Sequence, residues 1–209
     1  MSTRRLSGVV ACLNNEDTIG LVVNKLVDVC DEVIVVDGGS QDCTLERALV
    51  HDSVRLYEQP RASSTAELRN FGFDQCSWDW ILVVDADELL GGMTRAALGK
   101  VTGLPVMKWF SFPRYRVVER AGELHYLSDP AHFPDRQIRL FRNLPSFRYA
   151  LSDGATPPVF LKRTGVGLPL RKPQLFQFGV PLQDHEGASA PLPEVSPLLL
   201  DQLRGGKSG

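Results

Sequence analysis

The apolar positions of this chain change period repeatedly before residue 90, and each change predicts a new element. Val9 to Leu13 is a continuous apolar run ending at Asn14-Asn15, which predicts a buried strand. From Glu16 onward Ile19, Val22, Val23, Leu26 and Val29 fall on one helical face, with acids expected in the first turn. Val33 to Val36 predicts a second strand, closed by Asp37-Gly38-Gly39-Ser40. Leu45, Ala48 and Leu49 predict a short helix, and Val54 to Tyr57 a third strand. Ser64-x-x-Glu67 has the spacing of a capping box and opens a helix through about Cys76. Trp80 to Val84 is the fourth strand. Strands alternating with helices imply βαβ units and a mostly parallel sheet covered on both faces.

Beyond Gly91 the pattern loosens. Met93 to Lys100 predicts one more helix, and Val106 to Leu127 two antiparallel strands turning at Ala121-Gly122. Gln137 to Phe141 alternates, so that Gln137 and Arg139 share one face while Ile138 and Leu140 share the other. The stretch 166–209 is rich in Pro, Gly and Leu and predicts an irregular segment beside a main domain over 1–165.

Composition adds bounds. A chain of 209 residues with 43% hydrophobic content can bury one core without staples. A net charge of −2 gives no global attraction to nucleic acid or an anionic membrane. Cys12, Cys30, Cys43 and Cys76 show no C-x-x-C pair, and they read as reduced packing residues of a cytoplasmic protein. No apolar run approaches the roughly 18–20 residues that span a bilayer.

In a parallel sheet the residues just past the strand ends share one edge, where open α/β sheets bind ligands. Asn15-Glu16, Asp37 and the cluster Asp85, Asp87 and Glu88 all fall there. Asp37 can accept hydrogen bonds from a base N–H or a ribose hydroxyl. Asp85-Ala86-Asp87 offers hard oxygen ligands that suit Mg²⁺ or Mn²⁺, whose shell is completed by phosphates and water. Such an ion neutralises charge on a departing diphosphate. Neither a G-x-x-x-x-G-K-[ST] loop nor a G-x-G-x-x-G turn is present, which removes the P-loop and disfavours a Rossmann dinucleotide site. Each cluster alone also has an ordinary reading, as an N-cap, a turn or a solvated loop.

These residues resemble the inverting GT-A glycosyltransferases of family 2. "NNEDTIG", "DEVIVVDGGSQDCT" and "AELRNFGFDQCSWDWILVVDADE" resemble three segments of that family in order. "PDRQIRLFRN" resembles a later strand of the bacterial branch acting on lipopolysaccharide cores. The resemblance runs from Ser7 to Arg142. It implies an α/β GT-A (nucleotide-diphospho-sugar transferase) fold with a mostly parallel central sheet and a small antiparallel extension. It also implies a nucleotide-diphosphate sugar donor and an acceptor hydroxyl, whether of a glycan, a lipid-linked molecule or a modified nucleic acid. Asn15 and Glu16 would flank the nucleotide, Asp37 would bind base or ribose, and Arg69 would lie near the nucleotide or the phosphates. Asp85 would touch ribose or metal, with Asp87 as principal metal ligand. Gln137, Arg139 and Arg142 would meet phosphate or acceptor.

Two departures stand out. Where that branch carries Val-His-Glu, this chain has Leu151-Ser152-Asp153, and the Glu-Asp pair that often supplies the base is not evident. Inverting transfer needs a group to take the acceptor's proton. Asp135, beside the Gln-x-Arg strand, is favoured, followed by Asp153; Glu123, His125 and Asp129 are further candidates, and His132 and His185 have no assigned role. The alternatives are a degenerate GT-A domain that binds a nucleotide sugar or a partner protein, and a nucleotidyltransferase. A haloacid-type phosphatase is disfavoured because its D-x-D follows the first core strand.

Overall fold

The computed structural model describes residues 5–91, 94–120, 123–130, 133–151, 165–171, 174–178 and 188–191. The β-branched runs form β1 (Leu6–Cys12), β2 (Glu32–Asp37), β3 (Val54–Glu58) and β4 (Trp80–Asp85). They pair in parallel in the order β3-β2-β1-β4, with Val10 opposite Val35 on one side and Val84 on the other. Three helices connect them: α1 (Ile19–Val29), α2 (Thr44–Ala48) and α3 (Thr65–Asp74).

Helix α1 buries Ile19, Val22, Val23, Leu26 and Val29, the face its spacing predicts. Each such side chain contributes about 1.5–3 kcal/mol when withdrawn from water. Its first turn holds no acid, because the chain spends Asn14 to Thr18 in a turn and starts the helix at Ile19. Ser64 caps α3 by accepting the Glu67 N–H at 3.2 Å. The Glu67 carboxylate accepts from Ser63 N (2.8 Å) and Oγ (2.9 Å), one residue earlier than a capping box requires. Gly72 lets α3 lie close to the sheet, since a Cβ there would stand 2.7 Å from Val9 Cγ1.

Past β4 the sheet becomes mixed. β5 (Glu88–Gly91) follows a two-residue turn, and α4 (Arg95–Thr102) follows β5. The long β6 (Met107–Arg120) pairs antiparallel with β7 (Glu123–Leu127), as the sequence predicts; the turn residues 121–122 lie outside the described residues. β8 (Asp135–Arg142) runs antiparallel between β4 and β6. The segment after residue 165 is not irregular throughout: β9 (Val166–Pro169), β10 (Gln174–Gln177) and β11 (Ser189–Pro191) join β6, β5 and β7. Backbone pairing therefore ties these three strands to the main body, and Leu175 and Phe176 are buried. All four cysteines are free thiols, with Cys12 and Cys30 buried.

The alternation expected along β8 breaks at Arg139. Leu140 stands opposite Phe110 and Ile138 opposite Ser111, so Arg139 is an extra residue, a β-bulge. As a result Leu140 belongs to the core under α1 whereas Ile138 packs with Phe141 on the other face. The prediction that Ile138 and Leu140 share a face fails for that reason.

Candidate active site

Two loops at the carboxyl ends of β1 and β2 are fastened to each other. Asn14 N donates to Ser40 Oγ (2.8 Å) and Asn14 Oδ1 accepts from Gln41 N (2.8 Å). Asn15 N donates to Thr44 Oγ1 (2.7 Å), and Asn15 Oδ1 accepts from Leu13 N (2.9 Å). Glu16 N reaches Asp42 Oδ2 at 3.2 Å, and Glu16 Oε2 accepts from Cys43 N at 3.1 Å. The side chains of Asn14 and Glu16 and the backbone N–H of Asn15 thus hold the two loops together, while the Asn15 side chain folds back on its own loop. Asp37 is fully buried: Oδ2 accepts from Gly39 N and Ser40 N, both at 2.8 Å, and Oδ1 from the Ser40 hydroxyl. Gly39 takes φ +102°, a conformation that only glycine adopts without strain.

At the end of β4 the carboxylates meet arginines. Asp85 Oδ1 is bonded by Arg69 of α3, and Oδ2 accepts from Arg139 Nη2 at 2.6 Å. Burial opposes the charge on Asp85, but Arg139 and Arg69 outweigh it and hold its carboxyl below the ordinary range. Glu88 opens β5 with no exposed surface, so it neither starts a helix nor faces solvent. Its Oε2 accepts from Arg139 Nε (3.0 Å) and from Asp85 N (3.2 Å), and its Oε1 from Arg139 Nη2 (2.7 Å). Complete burial pushes Glu88 up from its ordinary value, with Arg139 acting against that shift. Arg139, itself buried, is held charged by Asp85 and Glu88 against the cost of desolvation.

The network continues to the second half of the chain. Arg114 Nη1 lies 3.4 Å from Glu88 Oε1, and Arg114 Nε and Nη2 grip Asp135 Oδ2 at 2.7 and 2.6 Å. Asp135 Oδ1 accepts from Gln137 Nε2 at 2.7 Å. Arg69, Asp85, Arg139, Glu88, Arg114, Asp135 and Gln137 therefore form one connected chain of contacts. It brings together five of the sequence-predicted site residues: Arg69, Asp85, Asp135, Gln137 and Arg139. In sequence Glu88 is open between a contact behind the D-A-D acids and a helix-entry residue, and Arg114 is only basic charge; nothing in their spacing marks them as the links.

Asp87 stands apart. Half-buried, it accepts from Gln177 Nε2 at 3.1 Å through Oδ2, and burial raises its carboxyl above the ordinary value. Arg142 lies with its guanidinium 4.6 Å from the centre of the Trp80 ring and donates to Met107 O at 3.4 Å. Asp153, His132 and His185 lie outside the described residues. Among the described residues no three His, Cys, Asp or Glu side chains converge as a metal cage.

Comparison with known proteins agrees with this layout. The model of glycosyl transferase family 2 matches residues 7–92, the stretch from β1 through β5. Residues 7–92 belong to glycosyl transferase family 2. Among curated proteins it is similar to the lipopolysaccharide core biosynthesis glycosyltransferase LpsC of Rhizobium meliloti. The two are 30% identical over 156 residues, covering 70% of this chain and 54% of LpsC. A TPR repeat-containing protein of Synechococcus elongatus is 33% identical over 147 residues, covering 69% of this chain and 34% of that protein. The chain thus spans about half the length of LpsC and a third of the other. Among solved structures, S. aureus TarS shares the fold with a TM-score of 0.53 and 18% identity, over 66% of this chain and 28% of TarS. The fold is GT-A, as the family resemblance implies. No helix among the described residues is long and apolar enough to cross a membrane.

Proposed function

We propose that the chain is a glycosyltransferase that moves a sugar from a nucleotide-diphosphate donor to an acceptor hydroxyl with inversion, aided by a divalent cation. One observation carries the reading: the family 2 segment closes with a D-A-D turn that leaves Asp87 half-exposed at the carboxyl edge, where Oδ2 accepts from the neutral amide of Gln177. The donor set fits a Mg²⁺ or Mn²⁺ ion held by Asp87, since such ions use one or two carboxylates and take phosphates and water for the rest. Asp85, the other proposed ligand, has both oxygens on arginine, so it would contribute only by giving up Arg69 or Arg139. When bound, the ion supplies Lewis-acid neutralisation of the diphosphate leaving group.

The remaining roles follow from the side chains. Asn15, Glu16 and Asp37 hold the β1 and β2 loops in the shape that receives the nucleotide. Arg69 and Arg139 place positive charge beside the D-A-D turn, where a diphosphate would lie. Asp135 is the proposed base on the described strands. Its Oδ1 is held by a neutral amide, Gln137, which an acceptor hydroxyl can replace, while Arg114 fixes Oδ2. Asp153 is the second proposed base. The acceptor and the cytoplasmic location remain part of this proposal.

A second reading, nucleotide-sugar binding without transfer, draws on the same ion pairs, because Asp85 and Asp135 both sit in arginine contacts. The two part company in one assay. Purified chain is incubated with UDP-, GDP-, ADP- and CDP-sugars, with and without Mn²⁺, and nucleotide release is followed for wild type and Asp87→Ala. Metal-dependent release lost in the variant supports transfer chemistry; binding with no release supports the second reading; neither sinks both.

A further inference from the structure

We propose that Glu88 and Arg139 are positioning residues that set the D-A-D turn for metal-linked nucleotide binding, a role that rests on the reading given above. The pair is aimed at the turn. Glu88 Oε2 accepts the Asp85 N–H at 3.2 Å, closing the loop of residues 85–88 on itself. Arg139 donates to both Glu88 oxygens, through Nε at 3.0 Å and Nη2 at 2.7 Å, and the same Nη2 reaches Asp85 Oδ2 at 2.6 Å. One guanidinium therefore fixes the carboxylate at each end of the turn, and Asp87 lies between them.

The bulge makes this possible. β8 pairs with β4 only as far as Leu82 opposite Leu140, and Arg139 is the residue inserted at the point where that ladder stops. A bulge re-aims a side chain and bends its strand; here it turns an arginine from a regular register position toward the end of β4. Buried ion pairs are often replaced by well-packed apolar residues without loss, because desolvation offsets the Coulomb gain. Groups behind a metal ligand, by contrast, set its orientation, and changing them commonly lowers metal affinity or activity by about 10- to 100-fold.

The test replaces the pair with apolar residues, Glu88→Met with Arg139→Met, alongside the single variants Arg139→Lys and Glu88→Gln. Mn²⁺ is titrated by electron paramagnetic resonance in the presence of UDP, GDP, ADP or CDP, and nucleotide binding is also measured without metal. The expected result is a folded double variant whose apparent Mn²⁺ affinity falls by about 10- to 100-fold, a larger loss than the one in metal-free nucleotide binding. Arg139→Lys, which keeps the charge and loses the fork, falls between. Wild-type Mn²⁺ affinity in the double variant overturns the proposal, as does an equal loss with and without metal, the mark of a merely structural role. If the double variant does not fold, the two single variants decide by the same titration. Absence of Mn²⁺-linked nucleotide binding in wild type overturns the proposed function itself, and this role with it.

Discussion

Gln177 Nε2 donates to Asp87 Oδ2 at 3.1 Å, joining two residues separated by 90 positions of sequence. The backbone repeats the link, with Phe178 N donating to Asp87 O at 2.9 Å. Strand β10 therefore holds the outer face of the D-A-D turn while Arg139 holds its inner face. A region after residue 165 that reads as irregular in sequence supports the carboxylate proposed to bind metal.

Gln177→Ala removes that side-chain bond. A hydrogen bond to a charged group contributes about 1.5–3 kcal/mol, and less when water can replace it. We expect urea unfolding to show a loss of about 1 kcal/mol, together with weaker Mn²⁺-linked nucleotide binding. Unchanged binding would separate β10 from the site.

Gly72→Ala tests how α3 delivers Arg69. The added Cβ stands 2.7 Å from Val9 Cγ1 and 3.1 Å from Val36 Cγ2, both on the sheet under the helix. Forcing a methyl into a packed contact costs typically about 1–3 kcal/mol. The helix must lift, and the Arg69–Asp85 contact lengthens with it. The expected outcome is a lower melting temperature and weaker nucleotide binding in the same variant.

The arginine-held carboxylate predicts a pH response with a definite sign. The Asp85 carboxyl lies below its ordinary value of 3.8, so it contributes stability above that value and loses it as pH falls through the depressed one. Wild-type stability should therefore drop in strong acid. In Asp85→Asn that drop is shallower, and stability at neutral pH is lower because Arg69 and Arg139 lose an anionic partner, up to about 3–5 kcal/mol for a buried pair. Denaturant melts of both proteins between neutral pH and pH 2 check it.

Much of this fold is legible in the sequence. Apolar runs and helical spacing locate β1 to β4 and α1 to α3 to within a few residues, because a parallel sheet buried on both faces has no polar alternation to confuse the pattern. The carboxyl edge and Asp85 on it follow from the same argument, whereas Arg69 at the site is implied only by the family resemblance. What the sequence hides is register. A single inserted residue at Arg139 reverses the expected faces of Ile138 and Leu140, and no local signal announces it. Asp37 looks free to meet a ligand because its Gly-Gly-Ser neighbours suggest an open loop; in the structure those same neighbours supply the N–H and O–H groups that consume it. Glu88 reads equally as a contact behind the D-A-D acids or as the start of a helix until Arg139 and Arg114, brought from 51 and 26 residues away, surround it.

The central claim is that Asp87 links a divalent cation to nucleotide binding. Its carboxyl is raised by burial, so its contribution to stability is present below the ordinary value and lost as pH rises through the raised one. Without metal, Asp87→Asn should thus be at least as stable as wild type at neutral pH. The decisive measurement is thermal unfolding of wild type and Asp87→Asn with UDP, GDP, ADP or CDP, each with and without Mn²⁺. A native-state ligand raises apparent stability by mass action, about 2.7 kcal/mol at a hundred times its Kd. The account predicts that one nucleotide raises the wild-type melting temperature further when Mn²⁺ is present, and that Asp87→Asn loses the added shift while keeping its metal-free stability. An equal Mn²⁺-dependent shift in both proteins would contradict it.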